Sequence, residues 1–227
     1  MPIAAAAVAS SRVLAAPNDE CAVFTPERQK ATTPADALRL LQEGNARFVA
    51  GKTINCDIVA QLHAASTGQA PFAAMVGCID SRVPPEMVFD QRIGDIFCAR
   101  IAGNFVDTDI IGSLEFATRL AGAKLIVVLG HNECGAIKGA VDGAKLGNLT
   151  AMLRNFDAAL AATRTVPAPG NSKNAALVQA VADANVKIAA RRLTERSEVL
   201  SGLVASKQLM IVGGMANIAT GRVTLLT

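Results

Sequence analysis

A chain of 227 residues is long enough to bury one sizeable core, and 51% of it is hydrophobic, with alanine and valine supplying much of that share. A net charge of +3, with basic residues scattered and Arg191-Arg192 as their one doublet, excludes a nucleic-acid-binding stripe. No apolar run approaches the roughly 20 residues needed to cross a bilayer, so a soluble globular protein with no nucleic-acid or membrane partner is expected.

The first 17 residues, MPIAAAAVASSRVLAAP, have an alanine-rich middle and a small-residue end. They lack a basic n-region, and Ser10-Ser11-Arg12 interrupts the apolar stretch. Two readings stay open, a disordered leader or the remnant of an export signal, and the compartment is open with them, cytoplasmic or periplasmic. Residues 1–32 are assigned to this leader or arm and 33–227 to a single domain.

TTPADALRLLQEGNARFVAGK then reads as a helix: Thr33 caps, Pro34 suits the first turn, and Leu38, Leu41 and Phe48 repeat on one face. A second helix is expected from Asp57 to about Ala65. PFAAMVGC (71–78) reads as a buried strand, DIFCARIAG (95–103) as the next, and TDIIGSLEFATRLAG (108–122) as an amphipathic helix ending at glycine. AKLIVVLG (123–130) is the strongest strand, apolar on both faces as central parallel strands are. A helix follows from about Gly135, and a longer helical region, 148–200, is broken at TVPAPGNSKN. KQLMIVGGM and GRVTLLT close the chain as strands around a turn at 219–221. Strands alternating with helices predict an α/β fold: one domain with a mostly parallel central sheet flanked by helices, plus a helical N-terminal arm that packs on a partner subunit.

The five cysteines (Cys21, Cys56, Cys78, Cys98, Cys134) are odd in number and irregular in spacing, which speaks against a disulfide framework and for metal binding or burial. Cys78 ends the first predicted strand, and His131 and Cys134 follow LIVVLG at the end of another. Ligands of open α/β sheets bind beyond the carboxyl ends of the strands, so if these two strands are neighbours, two thiols and one imidazole converge. Three protein ligands with a fourth position left over is the pattern of a catalytic zinc site. The competing reading is two core thiols and an ordinary surface histidine. Asp80 and Arg82, two apart on a segment taken as extended, point the same way and can pair beside that position. An aspartate kept ionised by an arginine can accept a proton from a metal-bound water; the plain alternative is a turn-stabilising ion pair.

C-x-D-S-R followed by G-H-x-x-C-G resembles the β-class carbonic anhydrases, and ALRLLQEGNARFVAGK, PPEMVFDQRIGDIFCARIAGN, GSLEFA and IVVLGHNECGAIKGA extend the likeness from about residue 33. The resemblance implies one zinc per chain held by Cys78, His131 and Cys134, with Asp80 and Arg82 as the dyad that orients zinc-bound hydroxide. In some members the aspartate swings in as a fourth ligand and is released when the arginine engages it. Gln69 matches the glutamine that bonds the substrate from a neighbouring subunit. Phe97 and Ala102 match the apolar lining of the carbon dioxide pocket, and Gly103 and Gly135 match glycines beside the site. The implied reaction is the reversible hydration of carbon dioxide to bicarbonate, in a homodimer or dimer of dimers. Rivals are hydrolysis of carbon disulfide or carbonyl sulfide on the same site, and a zinc-stabilised scaffold without turnover.

Three departures stand out: Phe116 where many members have tyrosine, Ala216-Asn217 where many have Tyr-Asp, and Met75 where members with an allosteric bicarbonate site carry tryptophan. No such allosteric site is expected. Cys21, Cys56 and Cys98 are expected as core or surface thiols, and His63 as an ordinary helix residue rather than a proton shuttle.

Overall fold

The computed structural model describes residues 19–166 and 170–226, so the leader reading of residues 1–17 lies outside the described residues. The first two α-helices are built as their sequences direct. Helix α1 (Pro26–Ala31) is capped by Thr25, and α2 (Pro34–Val49) opens on a capping box in which Thr33 and Asp36 satisfy each other's backbone N–H groups. On α2, Ala37 and Leu41 are buried while Leu38 and Phe48 pack at the margin of the core. Asp57 caps α3 (Ile58–Ala65).

The sheet is five-stranded. Strands β1 (Ala73–Gly77), β2 (Ile96–Arg100), β3 (Leu125–His131) and β4 (Met210–Ala216) run parallel, and β5 (Val223–Leu226) closes the edge antiparallel to β4, in the order β2-β1-β3-β4-β5. Every residue of β1 and β3 is buried. Alternation sorts their side chains between two cores. Ala74, Val76, Ile126 and Val128 face a layer that includes Leu114, Ile137, Phe156 and Val186. Ala73, Met75, Leu125, Val127 and Leu129 face Leu41, Phe72, Val88 and Phe89. Each fully buried aliphatic side chain contributes about 1.5–3 kcal/mol, which is why a continuous apolar run becomes a central strand.

The first of those layers is made by α5 (Thr108–Glu115, continued as a wider π-type turn to Leu120), α6 (Gly135–Val141), α7 (Gly147–Leu153), α8 (Asp157–Ala162), α9 (Ala175–Arg196) and α10 (Glu198–Ala205). The predicted break at 165–174 falls between α8 and α9. Helix α9 lies close on the sheet: a Cβ at Gly130 would meet Val186 Cγ2 at 2.5 Å and Met215 Sδ at 2.7 Å. Gly130→Ala would therefore push α9 away from the strand end that carries His131. A short helix α4 (Pro85–Val88) follows the 80–83 turn.

One expectation needs correction. Cys21 and Cys56 are not free thiols: they form a disulfide 35 residues apart in sequence. Reading all five cysteines as one set hid that these two lie outside the sheet, where they tie the N-terminal arm to the N-terminus of α3. The arm is helical over Pro26–Ala31, and residues beside and within that helix also contact the body of their own chain. Phe24 is buried against Phe72 (ring centroids 4.9 Å apart) and covered by the Arg28 guanidinium, and Gln29 Nε2 donates to the carbonyls of Pro71 and Ala121 at 2.7 Å each. Among the described residues, no helix is long and apolar enough to cross a membrane.

Candidate active site

Strands β1 and β3 are hydrogen-bonded neighbours, with Gly77 opposite Leu129. From β1 the chain first adds β2 on one side and then β3 on the other, so the strand order reverses between β1 and β3, where an open α/β sheet leaves a crevice. Cys78 is the first residue past β1, His131 the last of β3, and Cys134 the N-cap residue just before α6. Their ligand atoms all lie within 4.8 Å of one another, and exposure is 5% for Cys78 and 1% for His131 and Cys134.

The donors suit a metal ion. The two sulfurs are 4.0 Å apart. A tetrahedral ion with bonds of about 2.3 Å sets two sulfurs about 3.8 Å apart. His131 Nδ1 lies 2.8 Å from the Asn132 carbonyl, which can only accept, so Nδ1 carries a proton and in the neutral ring the lone pair is on Nε2. That Nε2 is fully buried and has no hydrogen-bond partner, a costly state for a polar atom unless something binds it. The two thiols are shifted in opposite directions. The hydrogen bond from Cys134 pulls the Cys78 thiol down to about 4, against burial, with His131 and the Gly103 amide assisting. The same contact, with burial, pushes Cys134 up. Without a metal the pair shares one proton, and a divalent cation can take its place.

Asp80 and Arg82 lie beside this trio on a turn closed by Val83 N to Asp80 O at 3.2 Å, not on the extended segment expected from sequence. Consecutive prolines at 84 and 85 direct the chain straight into α4, which leaves no room for a straight run. The pairing forms all the same. Arg82 Nε and Nη2 donate to Asp80 Oδ1 and Oδ2 at 2.9 and 2.7 Å, and the Arg82 amide adds a third bond to Oδ1 at 3.0 Å. Asp80 Oδ2 stands 3.8 Å from His131 Nε2. The Arg82 side chain bonded to Asp80 holds that carboxyl far below the usual carboxylate range, despite some burial.

The structure also places Arg100 and Asn185, which sequence reasoning passed over. Arg100, at the end of β2, donates to the carbonyls of Cys78 and Asp80 at 2.8 and 2.7 Å and so fixes the loop carrying both. The Gly103 amide donates to Cys78 Sγ at 3.2 Å. Gly103 has φ +80°, and a Cβ there would lie 2.4 Å from the Phe156 ring; buried Asn185 of α9 holds its carbonyl at 2.8 Å. A charged residue ending an otherwise apolar strand, and a polar one inside an apolar helix face, were the available signals for Arg100 and Asn185.

Other expected residues fall elsewhere. Gln69 is exposed before the N-terminal end of β1, and the five strand residues alone set it about 17 Å from Cys78, at about 3.3 Å each. One chain does not bring it to its own site. Phe97 stands opposite Ala74 on β2, edge-on to Phe116 (centroids 6.3 Å) in an open apolar groove. Ala102 is half-buried next to Gly103, and Gly135 is the first residue of α6. His63 is exposed on α3. Ala216 ends β4, and Asn217 folds its side chain back onto the amides of Ala219 and Thr220.

The carbonic anhydrase family model matches residues 73–223. Carbonic anhydrase 2 of Mycobacterium tuberculosis is 35% identical over 196 residues, covering 86% of this chain and 93% of its own length. The carbonic anhydrase of Mycolicibacterium smegmatis is 34% identical over 198 residues, covering 86% and 94%. Among solved structures, the β-carbonic anhydrase CafA of Aspergillus fumigatus superposes with a TM-score of 0.66 at 25% identity, covering 85% of this chain and 89% of that one. A tetrameric β-carbonic anhydrase from Sordaria macrospora gives 0.62 at 27% identity, covering 71% and 83%. With the trio at the sheet's switch point and a match of this extent, the chain belongs to the β-class carbonic anhydrase family of enzymes.

Proposed function

We propose that Cys78, His131 and Cys134 hold one zinc ion per chain and that the Asp80–Arg82 dyad directs the hydration of carbon dioxide there. The observation that carries this is the buried, partnerless His131 Nε2 facing two sulfurs 4.0 Å apart. Zinc, when bound, supplies the acidity that brings the pKa of a water to about 7. Asp80 is ionised and acceptor-only, so it takes a hydrogen bond from the attacking hydroxide and turns a lone pair of that oxygen toward the carbon. Arg82 keeps Asp80 charged and correctly turned through its two-pronged grip. Forming the new C–O bond gives bicarbonate, and the proton released in ionising the water passes to buffer.

Carbon dioxide has no net dipole, so its binding asks for apolar walls and one donor. Ala102 and Gly103 supply walls from the same chain, and Phe97 and Gln69, which lie away from their own trio, supply a further wall and the donor from a second copy of the chain. Self-association into a homodimer or dimer of dimers follows from that geometry, and the tetrameric Sordaria relative is consistent with it. Zinc content and stopped-flow hydration of wild type and His131→Ala test the reading. About one zinc per wild-type chain and none retained by the variant is the expected result. A His131→Ala protein with full zinc and full rate would remove the trio from the mechanism. For Gln69, a monomeric variant that stayed fully active would remove the role across the interface.

A further inference from the structure

Asn132 lies between His131 and Cys134 and is bonded on three sides. Its carbonyl accepts from His131 Nδ1 at 2.8 Å, its amide donates to the Ala216 carbonyl at 3.2 Å, and its side-chain Oδ1 accepts from the Ile218 amide at 2.8 Å. The next residue, Glu133, has φ 57°, so the chain turns sharply right after the carbonyl that meets the imidazole. A left-handed non-glycine residue persists where its surroundings over-determine it. Here the surroundings are the bonds of Asn132.

The turn that Asn132 grips is braced in its own right. Asn217 Oδ1 accepts from the amides of Ala219 and Thr220 at 2.9 and 3.1 Å. Asn45, buried in α2, donates to the carbonyls of Gly221 and Val88 at 2.8 and 2.9 Å and accepts from the Val223 amide at 2.9 Å. A continuous path of hydrogen bonds thus runs from α2, through the β4–β5 turn and the Asn132 side chain, to the imidazole.

We propose that Asn132 is a positioning residue of the metal centre. Its side chain, anchored to the β4–β5 turn, aims the carbonyl that fixes the His131 tautomer and ring plane, and so sets how well Nε2 serves as a ligand. This rests on the reading that Cys78, His131 and Cys134 hold the metal. Groups that orient a ligand histidine this way typically govern metal affinity by about 10- to 100-fold. Asn132 does not touch the metal or the substrate; it acts through His131.

The test compares Asn132→Ala, which removes the acceptor for Ile218, with Asn132→Asp, which keeps it. Zinc affinity is read by competition with a chromophoric chelator, and ligand geometry from the visible spectrum of the cobalt-substituted protein. Asn132→Ala is expected to bind zinc about 10- to 100-fold more weakly, with shifted cobalt bands, and Asn132→Asp to stay near wild type. Wild-type affinity and an unchanged cobalt spectrum in Asn132→Ala overturn the proposal, as does an equal loss in both variants. Should Asn132→Ala not fold, Asn132→Ser, too short to reach Ile218, makes the same comparison. His131→Ala serves as the control. If it keeps full zinc, the ligand set is wrong; if it loses zinc while Asn132→Ala binds normally, only the role of Asn132 falls.

Discussion

The two halves of the site are built differently. The trio is nearly sealed from solvent, and each member is held from outside: Cys78 by the Gly103 amide and Arg100, His131 by Asn132, Cys134 by its place at the start of α6. The dyad depends mostly on itself. Arg82 is 50% exposed and Asp80 16%, and three hydrogen bonds between them do most of the orienting. Groups that bind a metal gain from rigidity and dehydration, whereas groups that handle a proton need contact with water and room to move. On the proposed reading, the sheet provides the first at its switch point and leaves the second on the turn just outside it.

The widest break in this contrast is Cys134→Ser, which replaces a buried thiol, able to bind a metal as thiolate, with a hydroxyl that does not ionise near neutral pH. Nearly all bound zinc should be lost, as read by metal analysis after gel filtration. A variant that kept its metal would take Cys134 out of the ligand set. Next comes the dyad. Asp80→Asn should keep its zinc but lose about 10²- to 10⁴-fold in rate, the usual worth of a positioned proton acceptor.

The pH profile sharpens the same contrast. Arg82 depresses the Asp80 pKa, so the carboxylate persists as pH falls and protonates only well below the ordinary carboxylate range. Asp80 therefore contributes no titration between pH 6.5 and 9. The hydration rate should rise with pH across that interval as the attacking water ionises, near pH 7, and then level off. A flat profile there would separate the rate from that ionisation.

The disulfide region offers a comparison at a distance from the site. Closing 35 residues, the Cys21–Cys56 bond should stabilise the fold by about 4 kcal/mol if it acts by restricting the unfolded chain. Cys21→Ser should lower the melting midpoint by that equivalent and leave zinc content unchanged; melting curves indifferent to reductant would show that the bond does not hold the arm. Smallest of all is Thr33→Ala, which removes the α2 capping box at about 1 kcal/mol and should not touch the rate.

How much of this could be read from the sequence follows from how local each signal is. LIVVLG and PFAAMVG announce buried parallel strands by composition alone, and Thr33-Pro34 announces a helix start, because propensity and burial act on neighbours. The clustering of Cys78, His131 and Cys134 was legible because each lies at or within three residues of a strand end, where topology brings them together once β1 and β3 pair. The Cys21–Cys56 bond was not legible, since a pairing across 35 residues depends on where the arm docks. Asn132, Arg100 and Asn185 escaped for the same reason. Their partners are backbone groups between 20 and 86 residues away, so a polar residue in an apolar strand or helix face shows that Arg100 or Asn185 has a partner but not which one.

The measurement that bears most directly on the division between sealed ligands and self-held dyad is a paired one: zinc content and carbon dioxide hydration rate of Asp80→Asn beside wild type, by stopped flow at pH 8. The account predicts about one zinc per chain in both proteins and a rate at least about 10²-fold lower in the variant. A variant that lost its zinc along with its rate, or one that kept both, would contradict it.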